Sequence, residues 1–181
     1  MRLIDHPAEE NIRCLRQGAT FIEQLDDPMF TEQPDTFFRG GVGGQFRHCI
    51  DFYACLVRDM DGGRINYAKR ERDPRVETDR AVAADCMRQL ADKLETIHQD
   101  MARKSLEVLS DSHSADALDA DWSGSTLQRE LQFLASHTIH HFALIVSILV
   151  RLGWKPTAEF SEFGIAPSTL SHWQSTDRAA G

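Results

Sequence analysis

Apolar residues recur at alternating spacings of three and four along four long stretches of this chain, which is the period of amphipathic helices. In the second stretch, Val42, Phe46 and Cys49 begin such a series. Turn residues, rather than strand-like alternation, separate the stretches. Either Ser125 or Thr126 caps the last helix. The four predicted helices are at about Pro7–Leu25, Val42–Met60, Val76–Lys104 and Thr126–Leu152.

The helical period is lost between Leu106 and Ser125, where the sequence predicts an irregular segment or a short hairpin. A further short helix is predicted in the tail, beginning at Pro167 and Ser168. Amphipathic helices without a convincing strand indicate an all-α fold, a four-helix bundle that occupies residues 1–181 as a single domain. Because the connections between the helices differ in length, the pattern leaves their topology open.

The composition is that of an ordinary soluble globular protein, with 181 residues, 41% hydrophobic and 27% charged. At a net charge of −8 the chain lacks the concentrated positive surface that nucleic acid or an anionic membrane requires. The longest apolar run, Phe142 to Val150, is too short to cross a bilayer, which takes about 20 residues. The N-terminal sequence MRLIDHPAEENIRC carries no apolar signal segment. We therefore expect a cytoplasmic protein without nucleic-acid or membrane partners.

The run HTIHHFALIVSILV in the fourth helix interrupts an apolar stripe with three histidines. His137 and His141 are four residues apart, so a helix projects both from the face that points into the bundle. From that face they can share a metal ion. His140 falls on a more polar strip with Ser136 and Ser147 and is left out of the pair. The alternative is two core histidines that find hydrogen-bond partners among neighbouring side chains.

A third ligand has to come from another helix, and His48, at the edge of the second apolar series, is the candidate. Alternatively, His48 is partly exposed and pairs with Asp51 or with water. Three imidazoles and an open fourth position favour Zn²⁺ or Ni²⁺ over Mg²⁺ or Ca²⁺. Glu130, seven residues before His137 on the same face, is a candidate to orient a ligand ring. A surface ion pair with Arg129 is an equally good role for Glu130.

The segments GVGGQFRHCIDFY, INYAKRERD, STLQRELQFLASHTIHHFALI and FGIAPSTL together resemble the DinB-like family of bacterial four-helix bundle proteins. The match covers nearly the whole chain, and the histidines occur in the family's order. The resemblance implies that His48, His137 and His141 bind Zn²⁺ or Ni²⁺ in a cytoplasmic homodimer. It further implies a metal-dependent hydrolase, or a transferase or isomerase that uses a low-molecular-weight thiol such as bacillithiol or mycothiol.

The loop RINYAKRERDPR follows the second helix and is placed to border the open side of the metal. In this loop, Tyr67 is a candidate proton donor to the substrate. Arg70 is a candidate to hold a carboxylate of an anionic thiol or substrate. The alternative is a solvated run of charges that pair locally.

These observations favour a metal-dependent transferase or hydrolase in which the metal activates a thiol or water at the three-histidine site. The alternative is a non-catalytic metal-binding or stress-related protein whose ion holds the bundle together. A third interpretation is a dimeric ligand-binding scaffold that carries no metal in the cell. Since the same three ligands serve a catalytic or a structural ion, the sequence leaves the substrate open.

Overall fold

The computed structural model describes residues 6–33, 40–111 and 122–180, with side chains up to residue 176. The helices are α1 (Glu9–Gln24), α2 (Asp27–Thr31), α3 (Gly41–Asp59), α4 (Pro74–Thr78), α5 (Arg80–Glu95), α6 (Leu127–Arg151) and α7 (Pro167–Ala180). The strands are β1 (Arg64–Asn66), β2 (Ser105–Leu109) and β3 (Ser123–Thr126). Short 3₁₀ turns lie at Met60–Gly62, Gln99–Arg103 and Ala158–Phe160. The prediction of a predominantly helical chain is confirmed.

Four of the described helices, α1, α3, α5 and α6, have 16 or more residues and share one core. Helix α1 packs against α5 and α6, and α3 packs against α5 and α6. Aromatic rings connect them: the ring centroid of Phe46 lies 6.5 Å from that of Phe21 and 5.8 Å from that of Phe142. The apolar series of the sequence therefore face one another, as their helical spacing predicts.

The predicted third helix, Val76–Lys104, is wrong in its extent, because it consists of two helices and a 3₁₀ turn. The break lies at Asp79, whose carboxylate accepts hydrogen bonds from the backbone nitrogens of Ala81 and Val82 and so begins a new helix. Helix α5 ends at Glu95. Ile97, which suggested a longer helix, is fully buried but lies beyond that end.

The prediction of an all-α fold is also incomplete, because the structure contains a small sheet with strand order β1-β2-β3. Strands β2 and β3 are antiparallel, with Ser105 opposite Thr126, and they are the hairpin strands that the sequence suggested. Residues 112–121 of the connection between them lie outside the described part of the chain. Strand β1 pairs in parallel with β2, with Ile65 opposite Val108. This pairing was not predicted, because a three-residue strand leaves no periodic signal.

Helix α6 is long and apolar enough to cross a membrane by length and composition, although its longest apolar run is short. Of the 18 consecutive residues that make up its most apolar stretch, 39% are buried inside the structure. Its inward side packs against α1 and α3 and contributes Leu134, Ile145 and Ile148 to the core. This side of α6 is therefore part of the shared core.

The segment after α6 folds back onto it. The ring of Phe163 stacks on that of Phe142 at a centroid distance of 4.3 Å and on that of Phe21 at 3.9 Å. The next residue, Gly164, has φ +77°, and a Cβ there would lie 2.7 Å from the Ala143 backbone nitrogen. Only glycine allows this approach without displacing the backbone of α6. Gly164 therefore packs against the backbone of α6 within one turn of His141.

Candidate metal centre

Three histidine side chains converge where α3 packs against α6. The Nε2 atom of His48, in α3, lies 3.0 Å from the Nε2 atom of His137, in α6. The ring centroid of His141 lies 4.5 Å from each of the other two centroids. One ligand nitrogen from each residue falls within 4.8 Å of the others, and all three side chains are half-buried. The structure therefore brings together the three histidines that the sequence predicted.

The donor set fits a divalent ion. A Zn–N bond of about 2.0–2.1 Å in a tetrahedral site places ligand nitrogens about 3.3 Å apart. The separation between His48 and His137 is slightly shorter than this, and the widest separation in the cluster is at most 4.8 Å. His140 is exposed, although its ring lies beside that of His141 at 5.5 Å.

One ligand ring is held in orientation by an amide of α3. The side-chain oxygen of Gln45 lies 2.6 Å from Nδ1 of His141 and accepts its hydrogen bond. This bond places the proton on Nδ1 and leaves Nε2 free to bind an ion. Gln45 lies one turn before His48, so the same face of α3 supplies both a ligand and the orienting group. The sequence offered only this spacing as a signal for Gln45.

Glu130, proposed from the sequence to orient a ligand ring, is engaged elsewhere. Its side chain is buried, with Oε2 accepting a hydrogen bond from the Tyr67 hydroxyl at 3.0 Å. Its Oε1 accepts another from the Ser125 hydroxyl at 2.6 Å. Ser125 thus donates a hydrogen bond to Glu130, whereas Thr126 caps α6 by accepting a hydrogen bond from the Arg129 backbone nitrogen. The hydrogen bonds of Glu130 secure the start of α6 to the β1 side of the molecule.

We expect Gln45→Ala to lower the affinity for Zn²⁺ by about 10–100-fold, the usual effect of losing a group that orients a histidine ligand. Gln45→Glu keeps an acceptor oxygen and should retain most of the affinity. Competition with a chromogenic chelator measures both variants. Gln128→Ala is the matched control, since Gln128 is an exposed amide on α6. An unchanged affinity in Gln45→Ala would contradict the orienting role.

An aromatic ring borders the histidine cluster. The centroid of Phe52 lies 4.9 Å from that of His48 and 4.7 Å from that of His137. The same ring stacks on Tyr67 at 5.0 Å, and the guanidinium carbon of Arg70 lies 4.8 Å from its centroid. Both loop residues that the sequence proposed for substrate binding therefore adjoin the ring that lines the site. Tyr67 points its hydroxyl at Glu130, and its contact with a substrate stays a prediction.

Burial keeps the imidazoles neutral. It lowers the pKa of His48 to about 4 and that of His141 to about 3, and it lowers the pKa of His137 as well. The next largest cause is His137 for the pKa of His48, and His48 for that of His141. Arg70 lowers the pKa of both His48 and His137, whereas Asp111 opposes it. The three rings are therefore neutral at neutral pH, each with one ring nitrogen free of a proton, as metal ligands must be.

These shifts make the stability of the metal-free protein depend on pH. In the unfolded chain an imidazole has a pKa near 6.5, whereas His48 and His141 bind a proton only near pH 4 and pH 3. The unfolded state therefore holds more protons below about pH 6.5, and we expect the free energy of unfolding to fall from there toward about pH 4. Denaturant titrations of metal-free protein between about pH 7.5 and pH 4.5 measure this loss. His48→Gln should show a shallower loss, and an equal slope would contradict the assignment.

Comparison with known proteins gives one sequence match. A protein of Rhizopus delemar named FK506-binding protein 5 is 35% identical over 111 residues, which are 60% of this chain and 27% of that protein. The chain thus spans about a quarter of the length of the curated relative that it matches. No protein-family model matches the chain. No solved structure matches it either.

Proposed function

We propose that this chain binds one divalent metal ion, Zn²⁺ or Ni²⁺, through His48, His137 and His141. The observation that carries the proposal is the convergence of three ligand nitrogens within 4.8 Å of one another. The hydrogen bond from His141 to Gln45 supports it, because it fixes the ring in the form that binds a metal. Neutral imidazoles suit these borderline ions better than Mg²⁺ or Ca²⁺, which prefer oxygen ligands.

The function that this site supports best is that of a metal-dependent transferase or hydrolase. Three protein ligands leave a fourth position open, which is the pattern of catalytic rather than structural zinc sites. An ion there would lower the pKa of a bound water or thiol and so activate it as a nucleophile. The three histidines are half-buried, and the Phe52 ring borders His48 and His137. The thiol would be a low-molecular-weight cofactor or the substrate itself.

The proposal includes a DinB-like four-helix bundle that acts as a cytoplasmic homodimer. The bundle assignment is supported by the order of the three histidines, with one on α3 and two on α6. The packing of α3 against α6 supports it as well, because this contact is what brings the ligands together. Size-exclusion chromatography with light scattering tests the dimer directly.

The alternative, a non-catalytic protein with a structural ion, is favoured by one observation. The ligands come from two different helices, so an ion would join α3 to α6 across their contact. A structural site is closed by four protein ligands, whereas the described part of the chain supplies three histidines to this group. The number of exchangeable positions therefore separates the two functions.

Co²⁺ substitution tests for the open position. We expect Co²⁺-loaded protein to show visible absorption bands that shift when 2-mercaptoethanol is added, because the thiolate enters the fourth position. The His141→Ala variant, treated in the same way, is the control for Co²⁺ bound elsewhere. A spectrum that thiols, imidazole and pH all leave unchanged would favour the structural ion.

A further inference from the structure

A chain of buried hydroxyl and thiol groups crosses the core beside the histidine cluster. The Thr138 hydroxyl, in α6, donates a hydrogen bond to the Tyr53 hydroxyl of α3 at 3.4 Å. The Tyr53 hydroxyl donates in turn to the side-chain oxygen of Asn11, in α1, at 2.9 Å. A hydrogen bond also joins the Cys49 thiol of α3 to the Thr138 hydroxyl. All four residues are at most 2% exposed, so these groups join three helices inside the core.

The polar chain lies at the same level of the contact between α3 and α6 as the histidines. Cys49 follows His48 in α3, and Thr138 follows His137 in α6. Adjacent residues of a helix project about 100° apart, so the two pairs of side chains lie beside each other. Cys49 and Thr138 are buried in the core, whereas the two histidines are half-buried at its edge. A displacement of one helix along the other would therefore affect both pairs together.

The histidine cluster requires one axial register of α3 against α6. The Nε2 atoms of His48 and His137 lie 3.0 Å apart, and the ligand nitrogens of a tetrahedral zinc site lie about 3.3 Å apart. A slip of one residue moves a helix by about 1.5 Å along its axis. This displacement is comparable with a Zn–N bond of about 2.0–2.1 Å. A slipped α6 would therefore hold His137 out of place for an ion bound to His48.

The apolar contact between these helices restricts the register less strictly. Phe46 and Phe142 meet at a centroid distance of 5.8 Å, but the burial of apolar surface is non-directional. A hydrogen bond weakens steeply as its angle departs from linear, and a buried polar group without a partner costs free energy. Single buried polar residues specify the register of coiled coils for this reason. A slip of α6 would separate Thr138 from both Cys49 and Tyr53.

We propose that Thr138 is a positioning residue for the histidine cluster. Its hydroxyl, held between Cys49 and Tyr53, fixes the axial register at which His137 meets His48. Because Tyr53 is itself anchored to α1, the register of α6 is tied to two other helices of the bundle. The inference rests on the proposed function, since it concerns the affinity of the cluster for a metal ion. That affinity then depends on a hydroxyl that is not itself a ligand.

Two substitutions at this position separate positioning from packing. Thr138→Val keeps the shape of the side chain and removes the hydroxyl, whereas Thr138→Ser keeps the hydroxyl and removes a methyl group. We expect Thr138→Val to bind Zn²⁺ at least about tenfold more weakly, the lower end of the loss when a group that orients a ligand is removed. Thr138→Ser should bind Zn²⁺ like wild type, although the small cavity lowers its melting temperature. Competition with a chromogenic chelator and thermal unfolding measure the two quantities.

Ile22→Val is the matched control, because it removes a methyl group from a fully buried side chain of α1. It should lower the melting temperature and leave the affinity for Zn²⁺ at the wild-type value. If Thr138→Val does not fold, Tyr53→Phe removes the acceptor of the same hydroxyl and should show the same loss of affinity. Wild-type affinity in the variant without the hydrogen bond, or an equal loss in Thr138→Ser, would overturn the positioning role alone. Failure of the wild-type protein to bind Zn²⁺ would overturn the proposed function and this inference together.

Discussion

Alanine at His48, His137 or His141 is expected to remove stoichiometric metal from the protein. Loss of a group that only orients a ligand lowers metal affinity by about 10–100-fold, so loss of a ligand should lower it by more than about hundredfold. The reason is geometric, since the three nitrogens lie within 4.8 Å of one another and two ligands cannot close the same site. Elemental analysis of dialysed protein and competition titrations with a chelator measure the effect.

His140→Ala is the control for this set. His140 neighbours His141 on the same helix but is exposed, so its removal should leave the metal content at the wild-type level. Circular dichroism and thermal unfolding of each variant establish that it folds. Equal metal content in wild type and His48→Ala would refute the three-histidine assignment, because α3 would then supply no ligand. Loss of metal in His140→Ala alone would indicate that the metal site lies on the exposed face of α6.

Removal of the metal is expected to lower the melting temperature by several degrees while the protein stays folded. Metal present at about a hundred times its dissociation constant stabilises the folded state by about 2.7 kcal/mol. For a chain of this length that free energy corresponds to about 5–11 °C in melting temperature. The metal-free protein should remain folded, because its core includes residues from helices that carry none of the three histidines, such as Phe21, Phe30 and Leu94, all fully buried.

A structural ion gives the opposite result. In a protein that depends on its metal to fold, chelation abolishes the cooperative transition and the helical signal together. Differential scanning calorimetry with and without chelator distinguishes the two outcomes. The His137→Ala variant should melt at one temperature in both conditions, which shows that any shift in wild type arises at this site. A metal-free protein without a cooperative transition would favour the alternative function.

The helices were predictable because each buries one face in a shared core. Spacings of three and four marked α1, α3 and α6 to within a few residues. The same signal failed at α5. Ile97 continues the apolar series and is buried, but it lies beyond the end of the helix at Glu95. Asp79 indicated a break in the predicted helix, since aspartate is a common residue at the N-cap of a helix. Strand β1 gave no local signal, because its pairing partner β2 lies about 40 residues further along the chain.

The three-histidine cluster was predictable for a similar reason. Spacing placed His137 and His141 on one face, and His48 lay at the edge of the facing apolar series. The polar partners were not predictable in the same way. Gln45 and Glu130 both lie on inward-facing positions, and the sequence does not tell which of them meets a histidine. That choice depends on the axial register of α3 against α6, which only the packed structure determines.

The separation of the three histidines along the chain also limits when the cluster could acquire a metal ion. His48 precedes His137 by 89 residues. At a synthesis rate of about 5–20 residues per second, His48 leaves the ribosome roughly 4–18 s before its partners exist. During that interval a single imidazole on α3 holds an ion only weakly and without selectivity. An ion held by this cluster would therefore be selected from the ions available to the finished fold, and not from those that the nascent chain encounters.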